Sequence, residues 1–152
     1  VGTGAGGGAG AVIVAVLDAG APGLLLTDRS AARAGALADE FGAALSTVPW
    51  AARHEAVAAA ATLVNATSLG MTGQPPLELD LRALPAAALV SDIVYAPLQT
   101  PLLQAAAQRG NTVVDGLGML LHQARPGFAA WFGVEPEVDQ ALRDHVLADI
   151  PE

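Results

Sequence analysis

Short apolar runs of strand length alternate with alanine-rich stretches of helix length along this chain, and the alternation restricts the fold more than any single motif does. Leu24-Leu25-Leu26-Thr27, Ala44 to Val48, Thr62 to Ala66, Leu89 to Val94 and Thr112 to Val114 read as strands. Helical segments are expected over about Gly8 to Ala19, Ala31 to Phe41, Ala51 to Ala61 and Pro101 to Arg109, with Met119 to Phe132 and Pro136 to Ala148 finishing the chain. Ser30 stands at an N-cap position, and Gly20, Gly42 and Gly110 stand at C-cap positions. Thr72 to Ala88, with Pro75, Pro76 and Pro85, reads as loop with a turn of helix near Leu81 to Leu84. Runs that are apolar throughout belong to strands buried on both faces. The expected fold is therefore α/β, a parallel sheet with helices on both faces.

In such a sheet, ligands gather at the carboxyl ends of the strands. The chain opens VGTGAGGGAGA, with glycine at 2, 4, 6, 7, 8 and 10. Glycine tolerates positive φ and, lacking Cβ, lets backbone N–H groups approach a pyrophosphate. Val12 to Leu17 would then belong to the helix whose N-terminal dipole faces the phosphates. G-x-G-x-x-G fits as Gly2, Gly4, Gly7 and, shifted, as Gly4, Gly6, Ala9, while a low-complexity flexible terminus is the plain alternative. The other strand ends decide between them. Asp28 to Ser30, Asn65 to Ser68, Asp92 with Tyr95, and Asp115 to Gly118 each follow a strand, so polar residues and glycines collect on one edge. Asp28 lies 24 positions past Gly4, near the place where a dinucleotide site puts an acid on the ribose 2′-hydroxyl. Arg29 and Arg33 beside it suit a 2′-phosphate instead. Asp28 favours NAD and the arginines favour NADP.

Composition removes several function classes. At 152 residues the chain is of single-domain size. Its net charge is -8, its pI is near 4.6, and its seven cations are all arginine, which argues against nucleic acid as a partner. Mean hydropathy is +0.46, but no uninterrupted apolar run reaches the roughly 18 residues of a membrane span. Without cysteine there are no disulfides, thiolate ligands or cysteine nucleophiles, and a reducing, cytoplasmic setting is compatible. His54, His122 and His145 are too scattered for a metal site. Asp92 and Asp115 could form an acid/base pair, but capping and loop hydrogen bonds explain them more simply. Trp131 and Phe132 continue an apolar face with Leu120, Leu121 and Phe128, expected in the core or at a domain interface. Val138, Leu142, Val146 and Ile150 form a stripe at helical spacing which, left uncovered, favours association, so a homodimer is open to the chain. A glycine loop of this type normally follows a strand of about five residues. Here a stub precedes it, so the first strand is expected to be truncated and the chain to begin partway through a domain.

Four segments make a family resemblance specific: GAGGGAGAV at Gly4 to Val12, NATSLGM at Asn65 to Met71, DIVYAPLQTPLL at Asp92 to Leu103, and DGLGMLLHQARPGFAAWFG at Asp115 to Gly133. Together they resemble the C-terminal, nucleotide-binding domain of shikimate dehydrogenases, over essentially the whole chain. The resemblance implies a Rossmann-like fold and one dinucleotide-binding domain over residues 1–152, with the N-terminal substrate and catalytic domain absent from this chain. The family reduces 3-dehydroshikimate to shikimate with NADPH, in aromatic amino acid biosynthesis, by passing hydride from the nicotinamide to the ketone carbon. It further implies that Gly4, Ala5, Gly6, Gly7 and Gly8 hold the pyrophosphate, in the register Gly4-Ala5-Gly6-Gly7. Asp28, Arg29, Ser30 and Arg33 would clamp the adenosine 2′-phosphate, and Asn65, Thr67 and Ser68 would line the cofactor groove. Gly116 and Met119 would lie by the nicotinamide, while Tyr95 and Gln123 would reach the substrate. Three residues depart from the family pattern: Asp28 for the usual Asn, Gly10 for an Arg, and Ala96 for an Asn. The first leaves NAD open beside NADP, as in NAD-linked quinate/shikimate relatives. The family's proton-transferring Lys and Asp lie on the substrate domain, and this chain contains no lysine. No catalytic residue is therefore assigned, and the chain alone is expected to bind cofactor without turnover, or to serve as a non-catalytic nucleotide-binding module.

Overall fold

The computed structural model describes residues 1–150. Its six strands are β1 Gly2–Thr3, β2 Leu24–Asp28, β3 Leu45–Pro49, β4 Thr62–Asn65, β5 Leu89–Asp92 and β6 Thr112–Val114. All pair in parallel, in the order β3-β2-β1-β4-β5-β6. The order reverses direction at β1, whose two residues sit between Leu26-Thr27 and Val64-Asn65. Parallel neighbours require crossover connections, and right-handed crossovers put the helices before and after the reversal on opposite faces.

The helices are α1 Gly7–Asp18, α2 Ala31–Phe41, α3 Arg53–Ala56, α4 Pro101–Gln108, α5 Leu117–Phe132 and α6 Gln140–Leu147. Local signals set most of their ends. Ser30 Oγ accepts the Arg33 N–H at 3.3 Å, and Thr100 Oγ1 accepts the Leu103 N–H at 3.3 Å, so both helices start where an N-cap hydroxyl stands. Around the sheet the apolar residues divide into two clusters. Ile13, Leu26, Ala34 and Leu45 join α1 and α2 to β2 and β3. A larger cluster, with Leu63, Val90, Leu102, Leu103 and Ala106, joins α4 and the loop before β5 to β4 and β5.

Three elements differ from the sequence expectation. The continuous helix over Ala51 to Ala61 is instead α3 between two 3-10 turns, Trp50–Ala52 and Val57–Ala59. Tertiary anchoring overrides alanine's propensity there: Val57 is fully buried, and Arg53 donates to the carbonyls of Trp50 and Glu78. No helix forms at Leu81 to Leu84. A single bond joins the Leu84 N–H to the Leu81 carbonyl, and Leu77, Leu81 and Leu84 are buried as loop residues. The last helix begins at Gln140 rather than Pro136, because the Asp139 carboxylate accepts the Leu142 N–H at 2.8 Å. Among the described residues no helix is long and apolar enough to cross a membrane.

Candidate functional site

At the reversal point the glycine turn adopts one definite register. Gly4 has φ +96° and donates its N–H to the Thr27 carbonyl at 2.8 Å. A Cβ on Gly4 would stand 2.7 Å from the Ala66 carbonyl oxygen, so this position requires glycine for both conformation and space. Ala9 is buried against the sheet, and Gly2 belongs to the strand. The motif is therefore Gly4, Gly6, Ala9, with the small third residue allowing close helix–strand packing. Gly6 is the N-cap of α1, with no side-chain cap and no acid in the first turn. Among the described residues, the N–H groups of Gly6, Gly7 and Gly8 have no protein acceptor, and the space beside Gly6 and Gly7 is open. Three unpaired donors at an uncompensated helix N-terminus form a cradle for an anion.

Asp28 closes the neighbouring corner. Its Oδ2 accepts the Ala5 N–H at 2.8 Å, and its Oδ1 accepts the Ser30 N–H at 2.7 Å and Arg33 Nη2 at 3.2 Å. The carboxylate is only 8% exposed, whereas Arg33 is 60% exposed. Asp28 thus ties the glycine turn to the start of α2 and is partly neutralised, rather than standing free. Arg29 is exposed and, among the described residues, has no ion-pair partner. With Gly4, Thr67, Ser68 and Trp50, these side chains surround a cleft of about 220 Å³. Trp50 was not among the residues singled out from the sequence. The signal that could have found it is its place, immediately past β3 on the same edge as the other candidates.

Beyond the cleft lies a buried polar network. Asn65 Oδ1 accepts from Thr3 Oγ1 at 3.1 Å, Thr67 Oγ1 at 2.7 Å and the Thr67 N–H at 3.1 Å. Its Nδ2 donates to the Leu69 carbonyl at 3.1 Å and to Asp92 Oδ1 at 3.0 Å. Asn65 is fully buried, so it does not line the groove as the resemblance implied. It shapes the Asn65-to-Leu69 turn that presents Thr67 and Ser68. Asp92 also accepts the Val94 N–H at 3.0 Å and Thr100 Oγ1 at 2.8 Å. Burial raises its pKa above the usual carboxylate value, against the opposing pull of those three donors. With both oxygens committed and the residue 1% exposed, Asp92 is a structural acid.

A second, mostly apolar cleft of about 370 Å³ continues from Thr67 and Ser68 and is lined by Met71, Ile93, Tyr95 and Met119. Gly116, the N-cap of α5, is buried against the β5 exit. A Cβ there would lie 2.5 Å from the Val94 carbonyl oxygen, and as badly against that of Ile93. Gln123 is exposed one turn beyond Met119, outside the lining of this cleft. Asp115 accepts the Leu117 N–H at 3.1 Å and pairs with Arg143 at 2.6 Å, which fastens α6 to the sheet. The histidines gather into no site. His54 Nδ1 accepts the Asp80 N–H at 3.0 Å, and no metal-holding group of acids and histidines occurs among the described residues. Trp131, 80% exposed, and Phe132 lie outside the core.

An open parallel sheet of this order, with a glycine turn and an elongated two-part cleft at its reversal point, defines a Rossmann-type domain built for a dinucleotide. Its relatives narrow the class. The sequence profile of the Shikimate 5'-dehydrogenase C-terminal domain matches residues 116–143. The shikimate dehydrogenase (NADP(+)) of Dinoroseobacter shibae is 57% identical over 96% of this chain and 52% of its own length. That of Rhodospirillum rubrum is 60% identical over 95% and 52%. Among solved structures, quinate dehydrogenase from Corynebacterium glutamicum in complex with NAD superposes with a TM-score of 0.88 at 36% identity, covering 97% of this chain and 54% of that one. Shikimate 5-dehydrogenase from Thermus thermophilus, in complex with NADP(H) and shikimate, gives 0.79 at 34%, covering 99% and 54%. Over nearly its whole length the chain is similar to shikimate dehydrogenases, and the family model it matches is that of their C-terminal domain. It spans about half the length of the curated relatives it matches.

Proposed function

We propose that this chain is the cofactor-binding part of a shikimate dehydrogenase, and that its groove holds NADP(H) extended across the carboxyl edge of the sheet. The observation that carries the reading is the continuity of the groove through Thr67 and Ser68, from the unpaired glycine amides and Arg29 to the apolar walls at Met71 and Met119. Gly6, Gly7 and Gly8 would donate to the pyrophosphate. Arg29, with Arg33, would face the 2′-phosphate, since guanidinium groups suit phosphate oxygens. Met119 and Ile93 would keep water from the nicotinamide, and the glycine at 116 leaves room for the chain to pass there. The bound cofactor supplies the hydride.

A second reading, NAD-linked quinate or shikimate oxidation, draws on the acid at Asp28 and on the likeness to the NAD-bound quinate dehydrogenase. The partners of Asp28 weigh against it, because a carboxylate bonded to Ala5, Ser30 and Arg33 repels a phosphate less than a free one does. Calorimetric titration of the chain with NADP⁺ and NAD⁺ tests both. NADP⁺ is expected to bind more tightly, Arg29→Ala to erase most of the difference, and Asp28→Asn to widen it. Tighter NAD⁺ binding would favour the second reading, and an absence of binding by either would sink both.

Reduction of a ketone also needs a proton donor at the carbonyl oxygen. Lysine is absent, and Asp92 and Asp115 are occupied by structural bonds. Proton transfer and most substrate contacts are therefore assigned to a substrate domain outside these residues, with Tyr95 and Gln123 reaching toward it. That domain, or a second copy, would cover the exposed Phe128, Trp131 and Phe132. The absence of cysteine suits a cytoplasmic setting. Shikimate with NADP⁺ should give no reduced cofactor from this chain alone, and measurable turnover would contradict the assignment.

A further inference from the structure

We propose that Trp50 is the wall against which the adenine base of the cofactor lies, and that Arg53 fixes it there; this rests on the dinucleotide reading above. Pro49, the last residue of β3, is the register partner of Asp28. Trp50 therefore begins one residue past the ribose corner, on the side away from the glycine turn. With the pyrophosphate at Gly6 to Gly8 and the ribose at Asp28, the base continues in that direction, toward the outer strand. Among the described residues, Trp50 is the one aromatic side chain lining the charged cleft. The rest of its lining is glycine and alanine backbone, two arginines, an acid and two hydroxyl residues, and none of these offers an extended flat apolar surface.

The ring is also held. The Arg53 guanidinium lies 4.7 Å from its centroid, within cation–π range. Arg53 Nη1 donates to the Trp50 carbonyl at 2.9 Å and Nε to the Glu78 carbonyl at 3.0 Å, so one side chain pins the 3-10 turn, the ring and the following loop. Part of the indole packs on the larger apolar cluster, and the remainder borders the cleft. A wall fixed before binding loses little freedom when a base meets it. A purine against an aromatic ring contributes enough that removing the ring weakens binding by about tenfold or more.

The chain has two tryptophans, so Trp131→Phe leaves Trp50 as the sole reporter. Adenosine 2′,5′-bisphosphate and NADP⁺ are titrated into Trp131→Phe and into Trp131→Phe/Trp50→Leu, by fluorescence for the first and by calorimetry for both. The expected result is quenching of Trp50 by both ligands, with midpoints equal to the calorimetric ones, and about tenfold weaker binding in the double variant. Calorimetric NADP⁺ binding with unchanged Trp50 emission and undiminished affinity in the double variant would overturn the role of Trp50 and leave the dinucleotide reading standing. No heat with either ligand would overturn both. Should the double variant fail to fold, the fluorescence titration decides alone: quenching with matching midpoints supports the wall, and silent emission during calorimetric binding refutes it.

Discussion

The two halves of the sheet are unequally built. The β4–β5 side has twelve buried apolar residues in one cluster, together with the Asn65–Asp92 hydrogen-bond network. The β2–β3 side, which carries the Asp28 corner, has four buried apolar residues in its cluster. Its polar ties, from Asp28 to Ala5, Ser30 and Arg33, are partly exposed. One half is a rigid platform that shapes the Thr67 turn. The other is a lighter frame that holds the glycine turn through Asp28. Binding something that favours the folded state would stabilise this frame by mass action.

Core truncation should expose the inequality most strongly. Leu103→Ala, at a fully buried site in the larger cluster, is expected to cost toward the upper end of about 2–5 kcal/mol, and Ile13→Ala, in the smaller one, toward the lower end. Urea unfolding of both variants measures the difference, and equal losses would break the comparison.

Next in size is the polar network. Asp92→Ala strands the donors of Asn65, Val94 and Thr100 and should cost about 1–3 kcal/mol, while Asp92→Asn retains part of the bonding and costs less. The variants also separate the pH response. Because the folded-state pKa of Asp92 is raised, the folded chain binds that proton more tightly than the unfolded chain does. The group's contribution is fully present below its unfolded value of 3.8 and is lost as pH rises through the folded value. As pH rises above 3.8 and through that folded value, wild-type stability should therefore fall relative to Asp92→Asn. Parallel pH profiles from urea unfolding would remove the buried acid from the account.

Gly4→Ala reads stability and binding together. The positive φ costs about 1 kcal/mol, and the approach of Ala66 forces a local shift that displaces the glycine amides. Unfolding should lose more than the φ cost alone, and NADP⁺ binding should be lost. Retained affinity, measured by calorimetry, would show that the turn does not hold the phosphates.

The same contrast governs what could be read from the sequence. Ser30, Ala31 to Phe41 and Gly42 were legible because caps and propensity act within a few residues, and the helix has those bounds. The parallel sheet was legible from the alternation of apolar runs. The glycine register was not settled by spacing, since it depends on Ala66 crossing beside Gly4. Asn65 stood out by its strand-end position, but its role follows from Asp92, 27 residues away, whose side chain it meets across neighbouring strands. Trp50 gave no signal beyond its place after β3, because its significance comes from Arg53 above it and the Asp28 corner beside it. Interactions that close through the tertiary fold leave little trace in local spacing.

The central claim is that one groove, from the Gly6–Gly8 amides to Met119, receives a dinucleotide. Amide-resolved NMR of the chain during NADP⁺ titration tests it most directly. The account predicts saturable shifts at Gly6, Gly7, Gly8, Arg29, Thr67, Ser68 and Met119, with α6 unmoved. Shifts confined to α5 and α6, or none at the glycine amides when the ligand is saturating, would contradict it.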